Sequence, residues 1–252
     1  MQPQTNTAPA PELENGAEPA PAANPAAKPS GKMAPPRQPD SLAGRARRLF
    51  AQAMPKAVIV RRGPTKSKAV ALTFDDGPHE LTDAYLDVLD RYDARATFFV
   101  IGKACVAHPD GVRRIVARGH EVAGHGYEHI AFPKLDGPTL EEELARTAAL
   151  LPPPRTRRPL VRPPTGRTTP TSLARVARAG YSTVLWSRDS DDCRTKDPAE
   201  IVARLAPEAL TPGEIILLHE CQTWTLEALP AILENLMRAG WSMVPVGELA
   251  DL

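Results

Sequence analysis

From about residue 56 onward, short apolar runs alternate with longer stretches whose apolar residues recur every three to four positions. The short runs read as strands: Val58–Val60, Ala69–Phe74, Ala96–Ile101, His120–Ala123, Pro159–Val161, Thr183–Trp186, Ile215–Leu218 and Ser242–Val246. The periodic stretches predict helices over about 82–92, 109–118, 139–151 and 225–239, with two more opening near 170 and 198. Local chemistry marks several helix starts. Thr139 with Glu142 has the spacing of a capping box. Thr169-Pro170 and Asp197-Pro198 each place an N-cap residue before a proline suited to the first turn. Strands separated by 10–15-residue helices imply parallel pairing and βαβ units. The predicted fold class is therefore α/β: a distorted (β/α) barrel of about seven parallel strands, irregular because several strands are very short.

The segment before the barrel has a different composition. Residues 1–40 hold ten prolines and nine alanines and no Ile, Val, Phe, Trp or Tyr. Such a segment cannot bury enough apolar area to offset its ordering entropy, and a disordered Pro/Ala-rich N-terminal tail is expected. Residues 41–68 carry eight Lys or Arg and no acid, and read as a basic linker with a short helix starting at Ser41. Residues 69–252 form the expected catalytic barrel. The tail lacks the apolar core of a secretory leader, so no signal peptide is expected. No apolar run approaches the ~18 residues of a transmembrane segment. A net charge of +1 and an aromatic content of 5% give no footing for nucleic acid. Three cysteines, an odd number, do not suggest a disulfide framework.

In a parallel barrel, reacting groups gather at the C-terminal ends of the strands. The first long strand ends in Thr73-Phe-Asp75-Asp76-Gly-Pro78, where two adjacent carboxylates form either a turn or part of a cation site. The His120–Ala123 strand is followed by His125-Gly-Tyr-Glu-His129, whose histidines, four apart, would share one face of a helical turn. Later strand ends carry Arg162-Pro-Pro-Thr165-Gly, Asp189-Ser-Asp-Asp192 and His219. Asp76, His125 and His129 together offer one carboxylate and two imidazoles with a fourth position open, the pattern of a catalytic divalent metal. Asp75 remains as a base and His219 as an acid.

These five motifs, in this order and spacing, resemble the polysaccharide deacetylase family, carbohydrate esterase family 4, over nearly all of residues 69–252. The resemblance implies a metal-dependent hydrolase that removes N-acetyl groups from amino-sugar residues of a polysaccharide, by attack of water activated at the metal. Zinc is the expected cofactor, with Co2+ or Ni2+ as substitutes, and an N-acetylated glycan is the expected partner. By the same resemblance, Asp76, His125 and His129 are the metal ligands, and Asp75 is the general base, oriented by Arg162. His219 is the general acid, held by Asp192, and Thr165 lends its backbone N–H to the oxyanion. The family implies the cell envelope or the outside of the cell as its place of action.

Three positions depart from the family pattern. Gly126 stands where Ser or Thr is usual, removing a hydrogen bond that braces the histidine loop. Thr165 replaces a common Tyr, and Cys193 replaces a Trp, which trims the sugar site. The trimmed pocket keeps two alternatives open: an amidase or deformylase acting on a small or lipid-linked N-acyl sugar, and a non-catalytic carbohydrate-binding protein. His125-x-x-Glu128-His129 also reads formally as an inverted zinc-peptidase motif, but Gly124, Gly126 and Pro133 oppose the helix it requires. Arg167, Arg188 and Arg194, on loops after catalytic strands, suggest a preference for anionic glycans. Cys193 and Cys221 lie close enough in sequence to Asp192 and His219 to suggest a redox pair at the mouth.

Overall fold

The computed structural model describes residues 58–251. The tail over 1–40 and the helix expected from Ser41 lie outside the described residues. Among the described residues, eight strands form one parallel row in the order β1-β6-β5-β4-β3-β2-β8-β7. They are β1 (Ile59–Val60), β2 (Ala69–Gly77), β3 (Ala96–Val100), β4 (Glu121–Gly124), β5 (Leu160–Val161), β6 (Ser182–Val184), β7 (Arg188–Asp189) and β8 (Ile215–His219). A ninth, β9 (Ser242–Met243), pairs with the start of β2. The chain passes from β6 on one side of the row to β7 at the other edge in three residues. Leu185 N–H bonds the Val60 carbonyl, Ser187 N–H bonds that of Ile215, and Arg62 bridges Glu214. These contacts draw the edges together into an irregular barrel.

The helices are α1 (Thr82–Arg91), α2 (Gly102–Ala107), α3 (Gly111–Ala117), α4 (Gly137–Ala148), α5 (Pro170–Arg178), α6 (Pro198–Arg204), α7 (Thr223–Arg238) and α8 (Val246–Ala250). Strand β2 shows why the barrel forms. Its residues are buried on both faces, as a strand between a barrel interior and an outer helical layer requires. Ala69 and Ala71 pack inward against Phe99, Ile215 and Val246. Val70, Leu72 and Phe74 pack outward against Tyr85, Leu89 and Leu233.

Several expected boundaries move. The stretch expected as one helix over 109–118 is preceded by the separate helix α2, with the break at His108–Asp110, around Pro109. Helix α4 starts two residues before Thr139, because Asp136 is its N-cap and accepts the Thr139 N–H at 2.9 Å. Thr139 therefore occupies the N3 position, not the cap. Strand β9 stops at Met243: Pro245 has no N–H for a ladder, and α8 begins at Val246. Thr169 and Asp197 do cap α5 and α6, each ahead of a proline in the first turn.

Candidate active site

Strands β2 and β8 are in register at Asp75 and His219, so the two side chains leave neighbouring strands at the same level. Asp75 is 3% exposed, and its Oδ1 accepts a 2.6 Å hydrogen bond from Arg162 Nη1. The same nitrogen donates to Thr73 Oγ1 at 2.8 Å. Arg162 is fully buried, with Phe99 4.0 Å and Trp186 5.6 Å from its guanidinium. Arg162 thus fixes one oxygen of Asp75 and leaves the other, Oδ2, directed toward His125 Nε2 at 3.6 Å.

Asp76 follows in a left-handed conformation with φ +73°, and its carboxylate approaches the same imidazole. Its Oδ1 lies 3.2 Å from His129 Nε2 and 3.5 Å from His125 Nε2. The two imidazoles do not share a helical turn as the sequence suggests. Strand β4 ends at Gly124, and residues 125–131 form no regular element. Left-handed φ values of +77° at Gly126 and +58° at His129 reverse the loop and bring the rings to 5.1 Å between centroids. Gly126 adopts that conformation without the strain a Cβ would bring.

Burial works to raise the Asp76 carboxyl, but the imidazoles of His129, His125 and His219 outweigh it and hold it at about 2. His125 is pulled below the usual imidazole range by burial, whereas the contact with Asp76 raises His129.

His219 belongs to a second arrangement. Its Nδ1 donates to Asp192 Oδ1 at 2.7 Å, and its backbone N–H donates to Asp192 Oδ2 at 2.8 Å. Thr225 Oγ1 donates to Oδ2 as well, also at 2.8 Å, and Trp224 Nε1 donates to the Asp192 carbonyl. Burial opposes the charge on His219. The hydrogen bond to Asp192, the Cys193 contact and the field of Asp75 overcome that and push it up to about 11.

Asp75, Asp76, His125, His129, Thr165 and His219 line one cavity of about 260 Å3, walled also by Trp186 and Leu217. Thr165 sits in a left-handed turn (φ +64°) beside Gly166 (φ +66°), where Trp186 leaves no room for a Cβ on the glycine. The sequence gives no role to Trp186, Trp224 or Thr225, and Thr73 enters it only as a member of the motif that ends β2. Aromatic and hydroxyl residues inside strands and helices carry no spacing signal of their own.

Two further expectations concern the rim. Arg188 turns away from the cavity to Glu214 and the Ala209 carbonyl, whereas Arg194 lines the cavity and pairs with Asp191 at 2.8 Å. Cys193 and Cys221 are free thiols, and Cys193 Sγ lies 3.3 Å from both ring nitrogens of His219.

The donor set of the first cluster fits a divalent cation. The Nδ1–H of His125 is committed to the Arg162 carbonyl at 2.8 Å, which leaves its Nε2 lone pair facing Asp76. Asp76 Oδ1 is buried and accepts no aligned hydrogen bond, although His129 Nε2 is near. An orphaned carboxylate oxygen between two imidazole nitrogens, all within 4.8 Å of one another, is what a cation would satisfy. Asp192, Cys193 and His219 are equally close, but the Asp192 oxygens are already taken by His219 and Thr225.

The chain is an irregular parallel α/β barrel with an Asp-His-His cluster at its strand ends. A family model described as polysaccharide deacetylase matches residues 62–184, and the chain belongs to that family. It is thereby a hydrolase of carbon–nitrogen bonds in a metal-dependent family. The chain is 32% identical over 201 residues to a peptidoglycan-N-acetylglucosamine deacetylase of Bacillus cereus, covering 77% of this chain and 94% of that one. It is 34% identical over 200 residues to a chitooligosaccharide deacetylase of a Bradyrhizobium strain, covering 73% and 91%. The solved structure of the Bc1960 peptidoglycan N-acetylglucosamine deacetylase with a bound N-oxidanyl-benzamide superposes with a TM-score of 0.72 at 27% identity, covering 78% and 94%. No helix among the described residues is long and apolar enough to cross a membrane.

Proposed function

We propose that this chain removes N-acetyl groups from amino-sugar residues of a glycan, with zinc held by Asp76, His125 and His129. The observation that carries the reading is the convergence of three groups on one cavity. These are the Asp-His-His cluster, Asp75 fixed by a buried arginine, and His219 charged by Asp192. When bound, the cation supplies Lewis acidity, which makes water a nucleophile near neutral pH and polarises the amide carbonyl.

The chain's own residues do the rest. Asp75, held by Arg162, takes the proton of the attacking water on its free oxygen. The backbone N–H of Thr165, at the cavity wall, donates to the oxygen that becomes negative as the carbonyl is attacked. His219 Nε2 then gives its proton to the departing nitrogen, and acetate and a free amine result. Asp192 keeps the Nδ1 proton in place and so fixes which nitrogen serves as donor. Trp186 and the buried β2–β8 seam keep bulk water from Arg162 and Asp75, so their ion pair acts in a dry setting.

The test is acetate release from a panel: chitin oligomers, peptidoglycan, an N-acetylated exopolysaccharide, and acetylated or formylated small amides. Release from one of the glycans supports the reading. Release from the small amides alone moves the assignment to the amidase alternative. No release from any of them, by protein with its cation bound, returns it to a carbohydrate-binding role.

A further inference from the structure

The loop joining the two histidines has left-handed residues at Gly126 and His129 and no regular structure of its own, so its backbone groups need outside partners. Two carbonyls find them on the first turn of α2: Gly102 N–H bonds Gly126 O at 2.9 Å, and Lys103 N–H bonds Tyr127 O at 3.1 Å. The amide side is served by a single atom. The successive N–H groups of Tyr127 and Glu128 both donate to Glu143 Oε2, at 2.7 and 2.9 Å.

Glu143 reaches them from α4 and is 4% exposed. No Lys or Arg among the described residues forms an ion pair with it. A buried carboxylate without a counter-cation is expensive unless its hydrogen bonds are strong, and here both go to this loop. The carboxylate also stands where a side chain at position 126 would extend. A Cβ added to Gly126 would lie 3.4 Å from Glu143 Oε2, on a backbone strained for any L side chain.

We infer that Glu143 is the positioning residue of the metal centre: by clamping the Tyr127 and Glu128 amides it sets the spacing of His125 and His129 around Asp76. This rests on the metal reading above and assigns the loop's geometry to a residue outside the cavity.

The test uses the full chain stripped of metal. Zinc affinity is measured by competition with a chromophoric chelator, and the d–d absorption of the Co2+ form is recorded, for wild type, Glu143→Ala and Glu143→Gln. Melting temperatures of the metal-free forms are taken alongside. The expected result is a zinc Kd about 10–100-fold weaker in Glu143→Ala with an altered Co2+ band. Glu143→Gln, which keeps one acceptor oxygen, should show a smaller loss in the same direction and carries the test if the alanine variant does not fold. Unchanged zinc affinity and an unchanged Co2+ band in the folded variants overturn the inference, even where the melting temperature falls, because Glu143 would then only hold α4. A wild-type chain that binds no divalent cation sinks the inference together with the reading it rests on. Tight wild-type binding with unaltered variants sinks the inference alone.

Discussion

Replacing Asp192 by asparagine isolates what makes His219 an acid. The substitution keeps size and most hydrogen-bonding capacity but removes a fully buried charge 2.7 Å from Nδ1. Moving an imidazole from its ordinary 6.5 to about 11 corresponds to ~6 kcal/mol of preference for the charged ring. Asp192 is the principal source, since burial acts the other way. Without it, burial pulls the ring down against only the Cys193 contact and the field of Asp75, so a smaller fraction of His219 holds a proton to give at pH 8. A cation beside Asp76 lowers the starting point in the loaded enzyme, because it offsets the nearby carboxylates. The direction of the change on substitution stays the same. Loss of a positioned acid costs about 10²–10⁴-fold in rate. The assay is kcat against pH on an N-acetylated oligosaccharide. In Asp192→Asn the alkaline limb should move to lower pH and the pH 8 rate should fall toward that range. An activated acetate ester, whose leaving group needs no proton, should lose far less. An unmoved alkaline limb, or equal losses on amide and ester, would refute the acid role.

Asp75→Asn should lower kcat by about 10²–10⁴-fold while sparing zinc affinity, as measured by activity and chelator competition; equal loss of both would place Asp75 among the ligands. Arg162→Met leaves the buried Asp75 carboxylate without its partner and should lower stability by about 3–5 kcal/mol in denaturant titration; a near-neutral change would mean the pair is hydrated. Glu220 is fully buried, and burial pushes its carboxyl from 4.5 up to about 7. A carboxyl raised in the folded state contributes stability that is fully present below its unfolded value and is lost as pH rises through the folded one. Wild type should therefore lose about 3 kcal/mol between pH 4.5 and 7.5 relative to Glu220→Gln, read as the difference of two stability–pH curves. Parallel curves would count against it.

Much of this is legible in the sequence. Strands β2, β3 and β8 announce themselves because both of their faces are buried, which writes them as continuous apolar runs. The same burial makes polar residues at their ends conspicuous, and Asp75, Asp76 and His219 stand out for that reason. Strand β7 and helix α8 were not legible: two residues, Arg188 and Asp189, and five residues, Val246–Ala250, carry too little periodicity to declare an element. The histidine loop departs from the expected helical turn because a four-residue spacing fits both a helical turn and a loop reversed at Gly126 and His129. Only backbone dihedrals separate the two. Glu143 was invisible for a related reason. A glutamate among Glu141, Glu142 and Glu143 on an amphipathic helix looks like solvated surface until tertiary packing buries it.

Asp76, His125 and His129 are proposed to hold one catalytic cation that the acetate-releasing reaction requires. Titrating zinc into metal-free protein while following both occupancy and acetate release from an N-acetylated oligosaccharide tests it most directly. Activity should rise from baseline in proportion to occupancy and break at one equivalent, and His125→Ala and His129→Ala should bind weakly and stay inactive at that ratio. Full acetate release by the metal-free chain, or one tightly bound equivalent retained in His125→Ala, would contradict it.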